Sequence, residues 1–394
     1  MRLAAFMGWI EKLFEGVLAF RAEHAIMYAI GGLLIYLAIA KDYEPMLLLP
    51  IGFGAIIVNL PFAFIWGSPA GEVGLLQLLY NSGILTEMFP AFIFIGIGAM
   101  TDFRPLFATP KMMFFGAAAQ FGIFFTILAV LGLNNLFPEL GYTLKEAAAI
   151  GIIGAADGPT SIVVASQFAP RLVGPITVVA YSYMSLVPII QPPVIRLLTT
   201  KQERKIRMHY GEVNIKKWVM VVFPIGITVL AGILAPMSVL LIGLLMFGNL
   251  LREAGVVNRL FNAAQNELAN IVTLLLGITI GATMRYDEFL TWRTLSILAL
   301  GLVAFIFDTA GGVLFAKLIN LFSKDKVNPM VGAAGISAFP MASRIVQRMA
   351  KAEDPQNFIL MQAAGANVAG QLGSVIAGSI ILGITPWLVT LLGG

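Results

Sequence analysis

The chain has 394 residues, 59% of them apolar and only 12% charged, with a formal net charge of +4 and a mean hydropathy of +0.89. Soluble domains carry about 25% charged residues, so this composition excludes a soluble enzyme, a nucleic-acid binder and a disordered chain. Cysteine is absent and the two histidines, His24 and His209, lie far apart. That leaves no disulfide framework, Fe–S cluster or thiolate zinc site, and little on which to build His-based chemistry. What remains is an all-α polytopic membrane protein, with room for about ten spans at roughly 20 residues each.

Residues 1–24 mix charges (Arg2, Glu11, Lys12, Glu15, Arg21) with Phe6, Ile10, Phe14, Val17 and Leu18 at helical spacing. That pattern predicts an amphipathic, interfacial helix, not a cleaved signal. Apolar runs follow near 25–40, 46–66, 84–100, 112–133, 172–195, 218–235, 237–251, 268–284, 295–322 and 357–391, the last long enough for a span plus a terminal segment. Pro188, Gln191, Pro192 and Pro193 are expected to break the end of the 172–195 span. Two further segments, 145–168 and 328–350, are rich in Gly and Ala, are cut by Pro, and carry polar groups at membrane depth.

The chain repeats internally. Pro45-Met-Leu-Leu-Leu-Pro-Ile-Gly52 resembles Pro236-Met-Ser-Val-Leu-Leu-Ile-Gly243, and Gly98-Ala-Met-Thr101 resembles Gly281-Ala-Thr-Met284. Gly151-Ile-Ile-Gly154 before Pro159 resembles Gly332-Ala-Ala-Gly335 before Pro340. The offsets, 191, 183 and 181, drift only where loops differ. Residues 25–200 therefore form one half and 216–394 the other, joined by a basic hinge at 201–215 that the positive-inside rule makes cytoplasmic. If 145–168 and 328–350 dip in and return, five spans separate equivalent points and the two repeats are inverted. Paired broken segments in inverted repeats point to a transport site near the midplane.

The first broken segment reads Gly154-Ala-Ala-Asp157-Gly-Pro-Thr160-Ser161. Pro159 and Gly158 free backbone groups beside Asp157, and an acid at this depth costs at least about 2.5–3.5 kcal/mol unless a cation or proton compensates. Carbonyls, one carboxylate and a hydroxyl from Thr160 or Ser161 suit Na⁺; the competing reading makes Asp157 a helix N-cap. In the second segment, Asn328 and Ser337 offer neutral oxygens or local caps. Arg344 either clamps a carboxylate or snorkels to the cytoplasmic face with Arg348 and Lys351. Tyr181, Ser182 and Tyr183 lie in the span after the first break and Asn367 in the span after the second. Asp308 is another intramembrane acid, a proton relay or a packing hydrogen bond. Together, Asp157, Asn328, Ser337 and Asn367 form a candidate cation site between the halves.

Gly154-Ala-Ala-Asp157-Gly-Pro-Thr160, Tyr181-Ser-Tyr-Met184, Gln191-Pro-Pro193, Glu44 to Gly54 and Asn328 to Arg344 resemble the β subunit of the biotin-dependent, sodium-pumping decarboxylases, which act on oxaloacetate, methylmalonyl-CoA, glutaconyl-CoA or malonate. The resemblance implies an elevator-like core and scaffold in a prokaryotic cytoplasmic membrane. It implies that a carboxyltransferase (α) subunit loads biotin on a carrier protein or domain, and that the β subunit then decarboxylates carboxybiotin, consuming a proton and exporting Na⁺. It implies a small γ/δ membrane subunit, a homo-oligomeric arrangement in the complex, and no cofactor covalently bound to this chain. The family's ion-binding and catalytic aspartate falls on Asp157, its functional tyrosine on Tyr183, and its second-half residues on Asn328, Gly332, Ser337, Arg344 and Asn367. Arg344 then lies where carboxybiotin is held. The alternatives are a stand-alone Na⁺-coupled elevator carrier of a small organic anion and a non-transporting scaffold.

Overall fold

The computed structural model describes residues 14–68, 71–209, 211, 214–234 and 236–391. These residues are helical with no β-strand, apart from one isolated bridge between Gly67 and Val73. Among the described residues, seven helices are long and apolar enough to cross a membrane, or eight if the bent pair Leu75–Ile84 and Met88–Met100 is one span. Fewer spans emerge than apolar runs because some runs make short helices, such as Pro45–Val58 and Lys217–Ile233. Trp292 and Phe322 are 82% and 84% exposed, as befits a surface solvated by hydrocarbon rather than water. Of the expected N-terminal helix, Phe6 and Ile10 lie outside the described residues, while 14–18 is helical with Phe14, Val17 and Leu18 exposed.

The described chain packs as two compact units. The first comprises residues up to 86 together with 273–294. In it, α1 (Ala22–Lys41) packs on α2 (Pro45–Val58). Asn59, just past α2, donates through Nδ2 to the carbonyls of Ala55 and Met284 and accepts at Oδ1 from the Tyr286 N–H. All the main capacities of one buried amide are thereby used to tie α2 to the 284–286 turn.

The second unit holds 87–272 and 295–394. Its longer helices are α3 (Met88–Met100), α4 (Met112–Ala118), α5 (Phe121–Leu136), α6 (Leu144–Gly151), α7 (Gly158–Phe168), α8 (Val173–Leu198), α9 (Lys217–Leu234), α10 (Val239–Ala254), the first turn of α11 (Ala269–Ala282, whose remainder belongs to the first unit), most of α12 (Trp292–Phe322), α13 (Met341–Glu353) and α14 (Leu360–Leu391). Against expectation, α8 runs through Pro188, Pro192 and Pro193 to Leu198 without a break. Interior prolines are tolerated in spans whose neighbours re-satisfy the freed groups, and Gln191 links this stretch to the second broken segment by donating to the Ala333 carbonyl at 2.6 Å. The last apolar run is likewise one helix of 32 residues, with Pro386 inside it.

The first broken segment starts with a reciprocal cap: the Thr143 hydroxyl accepts from the Glu146 N–H, and the Glu146 carboxylate from the Thr143 N–H. α6 tightens into a single turn at Ile152–Ala155, and the chain reverses at Ala156 and Asp157 before α7 begins. Ala156, not Gly158, takes the left-handed conformation, with φ 53°. Gly158 and Pro159 instead form the first turn of α7, where the missing proline N–H leaves no hydrogen bond unmade.

The second broken segment leaves the hinge and comes back to it. At its start Asn328 Nδ2 donates to the carbonyls of Arg204 and Ile206, both at 2.9 Å. Beyond its end, Asn357 Nδ2 donates to the same two carbonyls at 3.2 Å. Arg204, buried, also ion-pairs with Glu353 at 2.7 Å. Between these anchors the chain makes a short helix, Met330–Ala333, then a turn, then α13. Gly332 lies backbone to backbone against Gly312 of α12, so a methyl on either would strike the other's carbonyl.

Candidate functional site

The two breaks touch. The Ser337 N–H donates to the Ala155 carbonyl at 3.3 Å, so the irregular backbone of each segment is partly satisfied by the other, as buried polar backbone requires. Asp157 is the N-cap of α7 and is 3% exposed. Its Oδ1 accepts from the Thr160 N–H at 3.4 Å, and its Oδ2 from the Thr160 hydroxyl at 2.7 Å and the Ser374 hydroxyl at 2.8 Å. The cap reading is thus realised in the geometry. It does not exhaust the residue, because Asp157 also lines a cavity of about 420 Å³.

That cavity is bounded by Asp157, Gly158 and Pro159 at the start of α7, by Ser337, Phe339 and Pro340 ahead of α13, and by Arg344, Met184 and Gln371. The N-termini of α7 and α13 both border it, each contributing roughly half a positive charge. Arg344 is exposed and makes no ion pair among the described residues. The two helix ends roughly balance one carboxylate, and Arg344 leaves the lining with a net positive charge. The first unit has a larger cavity, about 650 Å³, between residues 60–68 and 71–73, Gln77, Arg285 and Tyr286, and none of the candidate residues line it.

α14 supplies the other wall. Asn367, Gln371 and Ser374, at i, i+4 and i+7, share one face. Asn367 Nδ2 donates to the Ile336 carbonyl at 2.6 Å, Gln371 Nε2 to the Ser337 carbonyl, and the Ser337 hydroxyl to the Gly370 carbonyl at 2.9 Å. With their nitrogens so engaged, Asn367 Oδ1 and Gln371 Oε1 are left buried without a hydrogen-bond partner. An unsatisfied buried acceptor costs about 1–3 kcal/mol, which a bound cation returns. One carboxylate with neutral oxygens, and no second acid lining the cavity, is a donor set for a hard monovalent ion.

The sequence profile of the family described as "Na+-transporting oxaloacetate decarboxylase beta subunit" matches residues 23–385. The chain belongs to this family. It is 50% identical to glutaconyl-CoA decarboxylase subunit beta of Acidaminococcus fermentans, across 93% of this chain and 95% of that one. It is 47% identical to methylmalonyl-CoA decarboxylase subunit beta of Propionigenium modestum (91% and 94%) and 44% identical to the oxaloacetate decarboxylase beta chain of Klebsiella pneumoniae (93% and 96%). A sodium-pumping decarboxylase β subunit, not a stand-alone carrier, is what these relatives support.

Within this β subunit the expected site residues divide. Asp157, Ser337 and Arg344 line one cavity, Thr160 touches the Asp157 carboxylate, and Asn367 holds the turn at Ile336. Asn328 is not brought to Asp157; its amide is spent on the hinge carbonyls and on the Met330 N–H. Gly332 serves close packing on α12. Tyr183 turns away from the cavity: its hydroxyl donates to the Leu298 carbonyl of α12 at 2.7 Å, and its ring lies 5.8 Å from Phe305. The aromatic ring beside the break is that of Tyr181, packed on Gly158 with its buried hydroxyl unpartnered. Gln371 and Ser374 were missed, although a polar stripe at helical spacing inside an apolar run is a signal that finds them. Asp308 is fully buried on α12, its carboxylate packed on Gly122 and Gly154, on the packing side of the first break.

Proposed function

We propose that this chain removes CO₂ from a carboxylated biotin presented by a partner and couples that loss to Na⁺ export. The reading is carried by one observation: a carboxylate, a glutamine whose buried amide oxygen is unsatisfied, and an arginine without an ion pair among the described residues line one cavity. The carboxylated biotin supplies a carboxylate that leaves as CO₂ as its ring nitrogen takes up one proton. Asp157, Thr160, Ser337, Asn367, Gln371 and Ser374 bind Na⁺, with Asp157 the only formal charge among them. Arg344 and the two helix N-termini hold the substrate carboxylate. Asn328 and Gly332 act indirectly, by fastening the second segment, and Tyr183 by fixing α8 against α12.

While the substrate carboxylate is present, Na⁺ lies near two anions. Losing one of them at about 6 Å weakens its hold by roughly 3 kcal/mol at an effective dielectric of about 20. Moving one charge against 100 mV costs about 2.3 kcal/mol. The two are comparable, so decarboxylation is a large enough change to drive release. A proton then replaces Na⁺ at Asp157, and when Na⁺ rebinds it passes on to the ring nitrogen in the next decarboxylation. Two inverted repeats, 25–200 and 216–394, linked by the cytoplasmic hinge 201–215, rock as an elevator-like core against a scaffold. The chain works in the cytoplasmic membrane of a prokaryote beside a carboxyltransferase (α) subunit, a biotin carrier and a small γ/δ membrane subunit, in a homo-oligomeric array.

The test is reconstitution of the purified complex in vesicles. Asp157→Asn is expected to lower both ²²Na⁺ uptake and Na⁺-dependent decarboxylation at least about a hundredfold; wild-type behaviour in that variant removes Asp157 from the mechanism.

A further inference from the structure

The outer face of α13 carries a group of cations that stand without carboxylate partners among the described residues. Arg344, Arg348 and Lys351, at i, i+4 and i+7, form one exposed row. None makes an ion pair among the described residues. Their surroundings are different. Glu353 pairs with Arg204, Asp354 with Arg207 and Glu203 with Lys317, at 2.7, 2.8 and 3.2 Å. These three acids are thus already engaged elsewhere and leave the row's charge uncancelled. The opposite face of α13, with Ile345, Val346, Met349 and Ala350, is buried, so the helix cannot turn the row inward. Lys351 is held out over the Phe358 ring, 4.6 Å from its centroid. One end of the row borders the Asp157 cavity through Arg344; the other lies next to the Glu353–Arg204 pair at the hinge.

We propose that Arg348 and Lys351 are a guide track that draws an anionic group on a tethered arm from the hinge surface down to Arg344. The inference rests on the function proposed above and adds two residues to it. The ligand chemistry is a single carboxylate. Rows of one sign raise the local concentration of such a group and its on-rate by about 10- to 1,000-fold, and lose this effect as salt rises.

The experiment uses the intact complex in vesicles. With free carboxylated biotin carrier added at varied concentration, Arg348→Glu/Lys351→Glu is expected to raise its half-saturating concentration at low ionic strength by about tenfold, with little change in the limiting rate. The gap should close as salt is raised toward about 0.5 M, and Arg348→Lys/Lys351→Arg should behave as wild type. Equal low-salt kinetics in the Glu variant overturn the track while leaving the function standing. A deficit that follows the anionic-lipid content of the vesicles instead of salt and carrier concentration assigns the row to lipid headgroups and also overturns it. A wild-type complex that shows no Na⁺-dependent decarboxylation overturns the function itself.

Discussion

The two broken segments do the same thing to the backbone and opposite things to charge. In 144–168 the break is buried, and its one charged group, Asp157, is satisfied by hydroxyls from its own helix and from α14. In 328–353 the break is neutral: Ser337 and the Ile336 and Ser337 carbonyls face α14, and the charge comes one turn later on an exposed helix face. Duplication explains the shared interruption. The difference shows how such a pair becomes a site: one copy keeps an anion for a cation cargo, and the other presents cations to an anionic substrate. Each break also completes the other through the Ser337–Ala155 hydrogen bond.

After Asp157→Asn, the variant that most sharply tests this division is Asn367→Leu. It removes a buried orphan oxygen and the anchor of Ile336 together. Its Na⁺ half-saturation should rise about 10- to 100-fold, measured as Na⁺-dependent decarboxylation, as removal of a cation's ligand worth 1.5–3 kcal/mol requires. Unchanged Na⁺ dependence would place cation binding away from the break. Arg204→Met should next cost about 3 kcal/mol, because it strands Glu353 at the hinge. The readout is thermal unfolding in detergent, with Na⁺ half-saturation expected to stay near wild type if the hinge only fastens the second segment. Ser374→Ala should raise the Na⁺ half-saturation severalfold through loss of one donor to a carboxylate, while Ser182→Ala, on the same span as Tyr181, should not.

The smallest expected effect concerns the hinge. Burial pushes the Glu203 carboxyl up, but the Thr200 backbone N–H and the Lys317 ammonium outweigh it and hold it below its ordinary 4.5. A depressed folded value means the contribution is present above the unfolded value and is lost as pH falls through the folded one. Amide exchange of the 200–206 hinge should therefore quicken only below about pH 4.5, and Glu203→Gln should abolish that pH dependence.

Much of this was legible along the chain. Composition required membrane helices, and the Pro- and Gly-cut segments marked both breaks and put Asp157 at one of them. The errors concern direction. Tyr181 and Tyr183 are two residues apart, which is about 200° around a helix; one packs on the break and the other on α12. Asn328 was grouped with Asp157 because both lie in broken segments, yet it sits at the hinge end of its segment. Ser374 is 217 residues from the carboxylate it touches, and no local pattern encodes such a distance.

Family membership, membrane character, the positions of the breaks and the presence of a deep acid at the first of them were therefore settled by sequence. They depend on hydrophobicity, on proline's missing N–H and on glycine's freedom, all properties of neighbouring residues. Which oxygens surround that acid, which were left unsatisfied, and which arginine shares its cavity were decided only in three dimensions. Those depend on the rotation of each helix about its axis and on which faces meet, and packing fixes both only when the whole bundle is assembled.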